Sequence, residues 1–193
     1  IAIPNILGQL PVLKYHRENK IISAGRLIKS KGFDYLIKSF SMINARDWKL
    51  LILGEGPEEE YLRDLVFSMR LNNRVTITGF KPDIYKYFTR SKIFAFTSLT
   101  EGFPNVLLEA MATPLACISY DIDSGPREII TDGENGFLVK PMDVNEFASK
   151  LMILINNTDL RNKFMEQAVR VRETHAWEKI GHQYIELIDS VKC

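Results

Sequence analysis

Apolar positions fall into two kinds of segment that alternate along the chain. Ile21-Ile22-Ser23-Ala24-Gly25 is a short, nearly continuous apolar run closed by a glycine, the mark of a buried strand. Phe33, Leu36, Ile37 and Phe40 then recur at i, i+3, i+4 and i+7, which is one face of a helix. The strand signal returns at Lys49–Leu53, Arg74–Thr78, Lys92–Phe96, Leu115–Ser119 and Gly136–Val139. Between these runs the pattern predicts a helix opened by Pro57 and the acids Glu58, Glu59 and Glu60, whose charge suits a helix N-terminus. It also predicts a short helix from an Asp83 N-cap to Phe88, a helix over Val106–Ala112 and a short one over Pro126–Thr131. After the sixth strand the periodicity is helical throughout: Val144–Asn156, Leu160–Thr174 and Trp177–Val191. No internal repeat is present.

Ile-, Leu-, Val- and Phe-rich strands interleaved with helices predict an α/β, Rossmann-like, three-layer α/β/α fold with a six-stranded, mostly parallel sheet. Ligands of such sheets bind at the carboxyl ends of the strands. The chemistry is therefore sought in the loops that follow each strand.

Composition narrows the field. The chain has 193 residues, 46% apolar and 25% charged, which fits one domain with its own core and excludes disorder and low complexity. Lys plus Arg is 25 against 24 for Asp plus Glu, so no overall charge bias points to nucleic acid or to a polybasic membrane surface. Cys117 sits in an apolar run and Cys193 is the last residue; neither has a metal-type spacing, so both read as free thiols of a reducing compartment. No apolar window is long enough to span a bilayer. The chain opens on Ile1 with no initiator Met and no signal peptide, and it reads as a fragment of a cytoplasmic protein.

The loop after the first strand, Gly25 to Gly32, carries Arg26 and Lys31 around a turn into a helix, a setting that favours a diphosphate. Lys29 reads as a surface residue. Gly54-Glu55-Gly56, after the second strand, lacks the third glycine of a dinucleotide fingerprint and carries an acid, so it reads as a tight turn. Gly79-Phe80-Lys81-Pro82, after the third, allows close backbone approach to a flat base. The loop after the fourth strand is the richest. Glu101, just before a helix, and Glu109, one turn past Asn105, are carboxylates suited to vicinal sugar hydroxyls. Gly102, Phe103, Pro104, Asn105 and Val106 lead into the helix, where backbone N–H groups lack intrahelical partners. Asp121 and Asp123, after the fifth strand, form an Asp-x-Asp pair that reads as a turn and cap rather than a metal site, with Arg127 and Glu128 as local partners. His16, His175 and His182 are scattered. Met111, Phe164 and Met165 read as core, and Trp177 as an anchor of the last helix.

From about Ile21 to Leu187 the sequence resembles the C-terminal domain of a retaining glycosyltransferase of family 4 (glycosyl transferases group 1), one half of a GT-B fold. The specific match is Glu101-Gly102-Phe103-Pro104-Asn105-Val106-Leu107-Leu108-Glu109-Ala110-Met111, which carries the family's E-x7-E motif. Gly25-Arg26-Leu27 with Lys31-Gly32-Phe33, Gly54-Glu55-Gly56-Pro57, Gly125-Pro126-Arg127-Glu128-Ile129-Ile130 and Asn135-Gly136-Phe137-Leu138-Val139 follow in order. Ser124-Gly125-Pro126-Arg127-Glu128 is similar to members that use UDP-hexoses or UDP-N-acetylhexosamines.

The resemblance implies roles for the matching residues. Arg26 and Lys31 hold the diphosphate and stabilise the leaving nucleotide, Glu101 faces the donor sugar, and these three are the expected catalytic group. Glu109 binds the ribose hydroxyls. Gly25, Gly79, Phe80, Lys81, Gly102, Phe103, Pro104, Asn105 and Val106 surround the donor. No metal and no cofactor are implied beyond the nucleotide-sugar, a UDP-sugar, as substrate. The implied division is a linker or domain start at 1–20, a nucleotide-sugar-binding domain at 21–175 and a C-terminal crossover helix at 176–193. The acceptor, a glycan or a lipid-linked glycan, is read by an N-terminal domain absent from this chain, so the chain is expected to bind nucleotide without transferring sugar. Peripheral association of the full-length enzyme with the inner face of a membrane, and a place in polysaccharide assembly, are implied in the same way. Three alternatives stay open: a sugar-nucleotide epimerase with this fold, a metal-dependent transferase using Asp121 and Asp123, and a non-catalytic nucleotide-binding or interaction module.

Overall fold

The structure, a computed structural model, describes residues 5–8 and 16–191. Six strands form one sheet: β1 (Lys20–Ala24), β2 (Lys49–Leu53), β3 (Val75–Thr78), β4 (Ile93–Phe96), β5 (Ala116–Tyr120) and β6 (Gly136–Val139). Their order is β3-β2-β1-β4-β5-β6, and every pairing is parallel. The register runs Ile22 beside Leu51 and Phe94 through the centre of the sheet.

Alternation along each strand sends side chains to two cores. Ile21, Ile52, Ile93, Ala95 and Ile118 face one layer, with α1 (Phe33–Ser41), α2 (Glu59–Ser68) and α6 (Val144–Asn156). Ile22, Leu53, Phe94, Phe96 and Cys117 face the other, with α3 (Tyr85–Phe88), α4 (Asn105–Ala112) and α8 (Val171–Thr174). Continuous burial on both faces explains why β4 and β5 are fully buried strings, IFAF and ACISY. Cys117 is a buried free thiol, and burial pushes its pKa upward.

The helical periodicity of α1 is matched by burial of Phe33, Leu36, Ile37 and Phe40. Three local expectations are corrected. Asp83 is not the cap of α3; that position is Ile84, and Asp83 pairs with Lys86 at 3.1 Å instead. The helix expected over Leu160–Thr174 is two helices, α7 (Thr158–Ala168) and α8, and Asn157 caps the first by accepting from the Leu160 N–H at 2.9 Å. Trp177, expected as an anchor, is 67% exposed at the start of α9 (Trp177–Val191). The short α5 (Pro126–Ile129) agrees with its sequence signal. Cys193 and most of the 1–20 segment lie outside the described residues.

Candidate functional site

The strand order reverses beside β1: the chain builds β2 and β3 on one side, then crosses to β4 on the other. Loops leaving β1 and β4 therefore diverge and leave a crevice between them. A cavity of about 670 Å³ opens at this rim. Gly25 and Arg26 line it from β1, Gly54, Glu55 and Gly56 from β2, Phe80, Lys81 and Ile84 from the β3 loop, and Val106 from α4. The Phe80 ring is 66% exposed.

The loops after β1 and β2 are stitched together. The Leu27 N–H donates to the Glu55 carbonyl at 2.8 Å and the Glu58 N–H to the Leu27 carbonyl at 3.0 Å. A Cβ on Gly54 would lie 1.9 Å from the Gly25 carbonyl oxygen, and one on Gly56 would lie 2.4 Å from that of Leu27. Only glycine lets the two backbones approach this closely. Gly54-Glu55-Gly56 is therefore more than the tight turn expected from its sequence, because it walls the cavity.

A second set of contacts ties the β1 loop to the β4 loop. The Leu99 N–H donates to the Ser30 carbonyl at 2.7 Å, and the Thr97 hydroxyl to the Lys31 carbonyl at 3.2 Å. Gly32 starts α1 at φ 61°, where a Cβ would fall 2.3 Å from the Thr97 carbonyl oxygen. This stapling brings the Lys31 ammonium into an ion pair with Glu101, and both side chains are mostly withdrawn from water. The Ser124 hydroxyl holds the Glu101 backbone by donating to its carbonyl at 2.6 Å. A Cβ on Gly25 would be 4.0 Å from Lys31 Cδ, so the pair sits against the cavity rim.

Glu109 is half-buried one turn along α4 from Asn105. Burial raises its carboxyl pKa, and the neighbouring Tyr85 hydroxyl partly opposes that rise. The Tyr85 phenol is itself pushed up to about 12, by burial first and by the Glu109 charge second. Asn105, Leu108 and Glu109 border a smaller cavity of about 290 Å³ against residues Asn5 to Gly8. Here the Asn5 amide donates to Asn105 Oδ1 at 2.9 Å.

The structure thus brings Gly25, Arg26, Phe80, Lys81 and Val106 to one cavity. Lys31 and Glu101 form their pair beside it, and Asn105 and Glu109 border the second cavity. Gly102 is exposed, and Gly79 has open space where a side chain would stand. Phe103 turns its ring to His175, 6.0 Å between centroids. Pro104 is buried beneath Gly125, where a Cβ would meet Pro104 Cδ at 2.3 Å. The side chains of Phe103 and Pro104 therefore seat the loop. Gly54, Gly56 and Ile84 line the cavity without a sequence signal for a site; the paired glycines after a strand are the one feature that points to any of them.

Asp121 is committed to Arg127, which donates to it through Nε and, at 2.8 Å, through Nη2. Glu128 accepts from the Gly125 N–H at 3.2 Å. Among the described residues no group of three or more His, Cys, Asp or Glu is placed to hold a metal ion. Among them, too, no helix is long and apolar enough to cross a membrane.

Comparison with known proteins gives the family and the fold. An uncharacterized glycosyltransferase of Haemophilus influenzae is 36% identical over 188 residues, 95% of this chain and 53% of that protein. The N-acetylgalactosamine-N,N'-diacetylbacillosaminyl-diphospho-undecaprenol 4-alpha-N-acetylgalactosaminyltransferase of Campylobacter jejuni is 36% identical over 152 residues, 79% of this chain and 41% of that one. The chain spans about half the length of these curated relatives. Among solved structures, a mutant of S. aureus TarM in complex with fondaparinux, alpha-GlcNAc-glycerol and UDP superposes with a TM-score of 0.90 at 25% identity. That match covers 97% of this chain and 39% of TarM, and the shared Rossmann-like unit is that of GT-B glycosyltransferases. The family model of glycosyl transferases group 1 matches residues 11–171, most of the chain, and the chain belongs to that family.

Proposed function

We propose that this chain is the donor-binding half of a retaining glycosyltransferase that moves a hexose or N-acetylhexosamine from a UDP-sugar to a glycan or lipid-linked acceptor, without a metal. The observation that carries the proposal is a cavity large enough for a nucleotide at one rim of the sheet, lined by Arg26, with the Lys31–Glu101 pair beside it and Glu109 at a smaller cavity on α4. The TarM complex with UDP and the α-N-acetylgalactosaminyl product named for the Campylobacter relative support the nucleotide and the sugar class.

The difficult step is departure of the nucleoside diphosphate, which builds negative charge on the leaving phosphate. In this proposal Arg26 and Lys31 stabilise that charge with the N-terminal amides of α4, which need no rearrangement as it develops. Glu101 turns from Lys31 toward the hydroxyls of the donor sugar. Glu109 accepts from the ribose hydroxyls, and the exposed Phe80 ring offers a face to the base. Retention follows from attack on the anomeric carbon from the face the leaving group vacates, and no carboxylate is assigned as nucleophile. The acceptor is read outside this chain, so the 193 residues bind donor without transferring sugar.

The test is a calorimetric screen of the chain against UDP, GDP, ADP and their sugars, with and without EDTA. UDP is expected to bind with the highest affinity and EDTA to leave its affinity unchanged. Equal affinity for all three nucleotides, or loss of binding in EDTA, overturns the proposal. Altered sugar nucleotide released without an acceptor marks the epimerase alternative.

A further inference from the structure

We propose that Ser124 is a positioning residue of the donor site: its hydroxyl, bonded to the Glu101 carbonyl, holds the Glu101 backbone so that the carboxylate reaches the donor sugar once Lys31 has turned to the diphosphate. The inference rests on the readings of Lys31 and Glu101 given above and adds a residue from a different loop.

The loop around Glu101 is tethered unevenly. Before it, Thr97 and Leu99 are bonded across the rim to the carbonyls of Lys31 and Ser30. After it, Pro104 is buried against Gly125. Gly102, between these anchors, is exposed and brings no side chain to pack. Glu101 itself is held from two other loops. The Lys31 ammonium takes its carboxylate, and the Ser124 hydroxyl, 23 positions further along the chain, donates to its carbonyl at 2.6 Å. The first hold is the one a diphosphate removes in the proposed reading. The second is a neutral hydrogen bond to the main chain, which a diphosphate does not contest.

A serine beside a helix start commonly serves that helix as a cap. Ser124 does not. Gly125 is the cap residue of α5, no side chain caps the helix amides, and Glu128 takes the Gly125 N–H at 3.2 Å. The Ser124 hydroxyl is spent on the β4 loop instead. The turn that carries it is braced on both sides. Ile122 is buried in the core layer of α1 and α6, and Arg127 Nη2 donates to Asp121 at 2.8 Å. Gly125 stands at φ 96°, and a Cβ there would meet Pro104 Cδ at 2.3 Å, so both its conformation and its contact require glycine. The β5–α5 turn thus grips the β4–α4 loop at two points, Ser124 on Glu101 and Gly125 on Pro104. A backbone fixed before the sugar arrives leaves less ordering for the binding step.

The experiment measures UDP and a UDP-sugar by calorimetry on the 193-residue chain, on Ser124→Ala, Ser124→Thr and Glu101→Gln, and on the Ser124→Ala/Glu101→Gln double variant. The sugar is whichever of UDP-glucose, UDP-galactose and their 2-acetamido counterparts binds the wild-type chain most tightly. The readout is the ratio of its affinity to that of UDP. Ser124→Ala is expected to lower this ratio about threefold to tenfold, the share of one hydrogen bond, with UDP affinity held. Ser124→Thr keeps the hydroxyl and is expected to keep the wild-type ratio. Glu101→Gln is expected to lower the ratio too, and the double variant to fall no further than Glu101→Gln, because both changes act through one group. A merely structural role for Ser124 predicts equal losses for UDP and the UDP-sugar in Ser124→Ala, and that result overturns the proposal. An unchanged ratio in Ser124→Ala, matching losses in the Ala and Thr variants, or additive losses in the double variant overturn it as well. A wild-type chain that binds no uridine nucleotide, or a Glu101→Gln variant with the wild-type ratio, removes the donor reading first, and the Ser124 proposal falls with it.

Discussion

Lys31 and Glu101, seventy positions apart in the chain, share an ion pair in which their side chains are 22% and 12% exposed. Each of the two charges neutralises the other. In the proposed reading, a diphosphate entering the crevice would compete with Glu101 for the ammonium and release the carboxylate toward the sugar. Lys31→Ala is therefore expected to weaken UDP binding about thirtyfold, or about 2 kcal/mol, while leaving uridine binding unchanged. Calorimetry with the two ligands checks this, and equal losses for both would remove the phosphate contact from Lys31.

Arg74 gives a prediction about stability alone. Its guanidinium donates to the carbonyls of Ile43 and Ala45 at 3.0 Å each and to that of Trp48 at 3.4 Å, and it lies 4.5 Å from the centre of the Phe40 ring. One side chain thus closes the whole turn between α1 and β2. Arg74→Ala takes a donor from three carbonyls, of which that of Ala45 keeps the Trp48 N–H at 3.2 Å, and is expected to cost about 2–4 kcal/mol in urea unfolding. UDP affinity of the folded fraction should stay at the wild-type level, since the turn lies at the far rim of the sheet.

His175 sets a pH dependence. It is 6% exposed, its carbonyl accepts from the Leu7 N–H at 2.9 Å, and its ring meets Phe103. Burial, the largest influence, holds its pKa below the ordinary imidazole value. The Val171 backbone and Glu128 pull it back upward, and Lys179 adds to the depression. The unfolded chain takes up this proton near pH 6.5 and the folded chain only below that. Between the two values the unfolded state binds more protons, so stability rises with pH and is lost as the pH falls below about 6.5. Urea midpoints at pH 7.5 and 5.5 are expected to diverge in the wild-type chain and to converge in His175→Gln. An unchanged difference in the variant would assign the effect to other groups.

Tyr120 shows the opposite economy. It is fully buried between Tyr35 and Phe147, with ring centroids at 6.4 and 5.2 Å. Among the described residues its hydroxyl is the buried side-chain polar atom that finds no hydrogen-bond partner. Removing an unpartnered buried hydroxyl removes a desolvation cost. Tyr120→Phe is accordingly expected to raise the thermal midpoint or leave it unchanged, and a fall of several degrees would reveal a partner for the hydroxyl.

The sequence made the strands and their order of appearance legible because each is a compact apolar run with both faces buried. Ile93 to Phe96 is the clearest case: a run with no polar position has to be interior. The break between α7 and α8 was hidden, since Leu160 to Thr174 keeps helical periodicity across it. Arg26, Lys31, Glu101 and Glu109 were legible as candidates because charged groups after parallel strands have few structural reasons to cluster. Their pairing was not. Nothing local in the chain says that Lys31 meets Glu101; the stapling of Ser30 to Leu99 across the rim does that.

Parallel strands also leave the sheet with two unequal rims. All the groups discussed for the donor lie at the carboxyl end, and the loops entering β2 and β3 lie at the other. Arg46, Asp47, Asn72 and Asn73 are exposed there. That rim is a natural handle: a fluorophore or an immobilising tag attached at Asn73 would stand a full strand length from the crevice, so ligand entry can be followed without touching the groups that receive it.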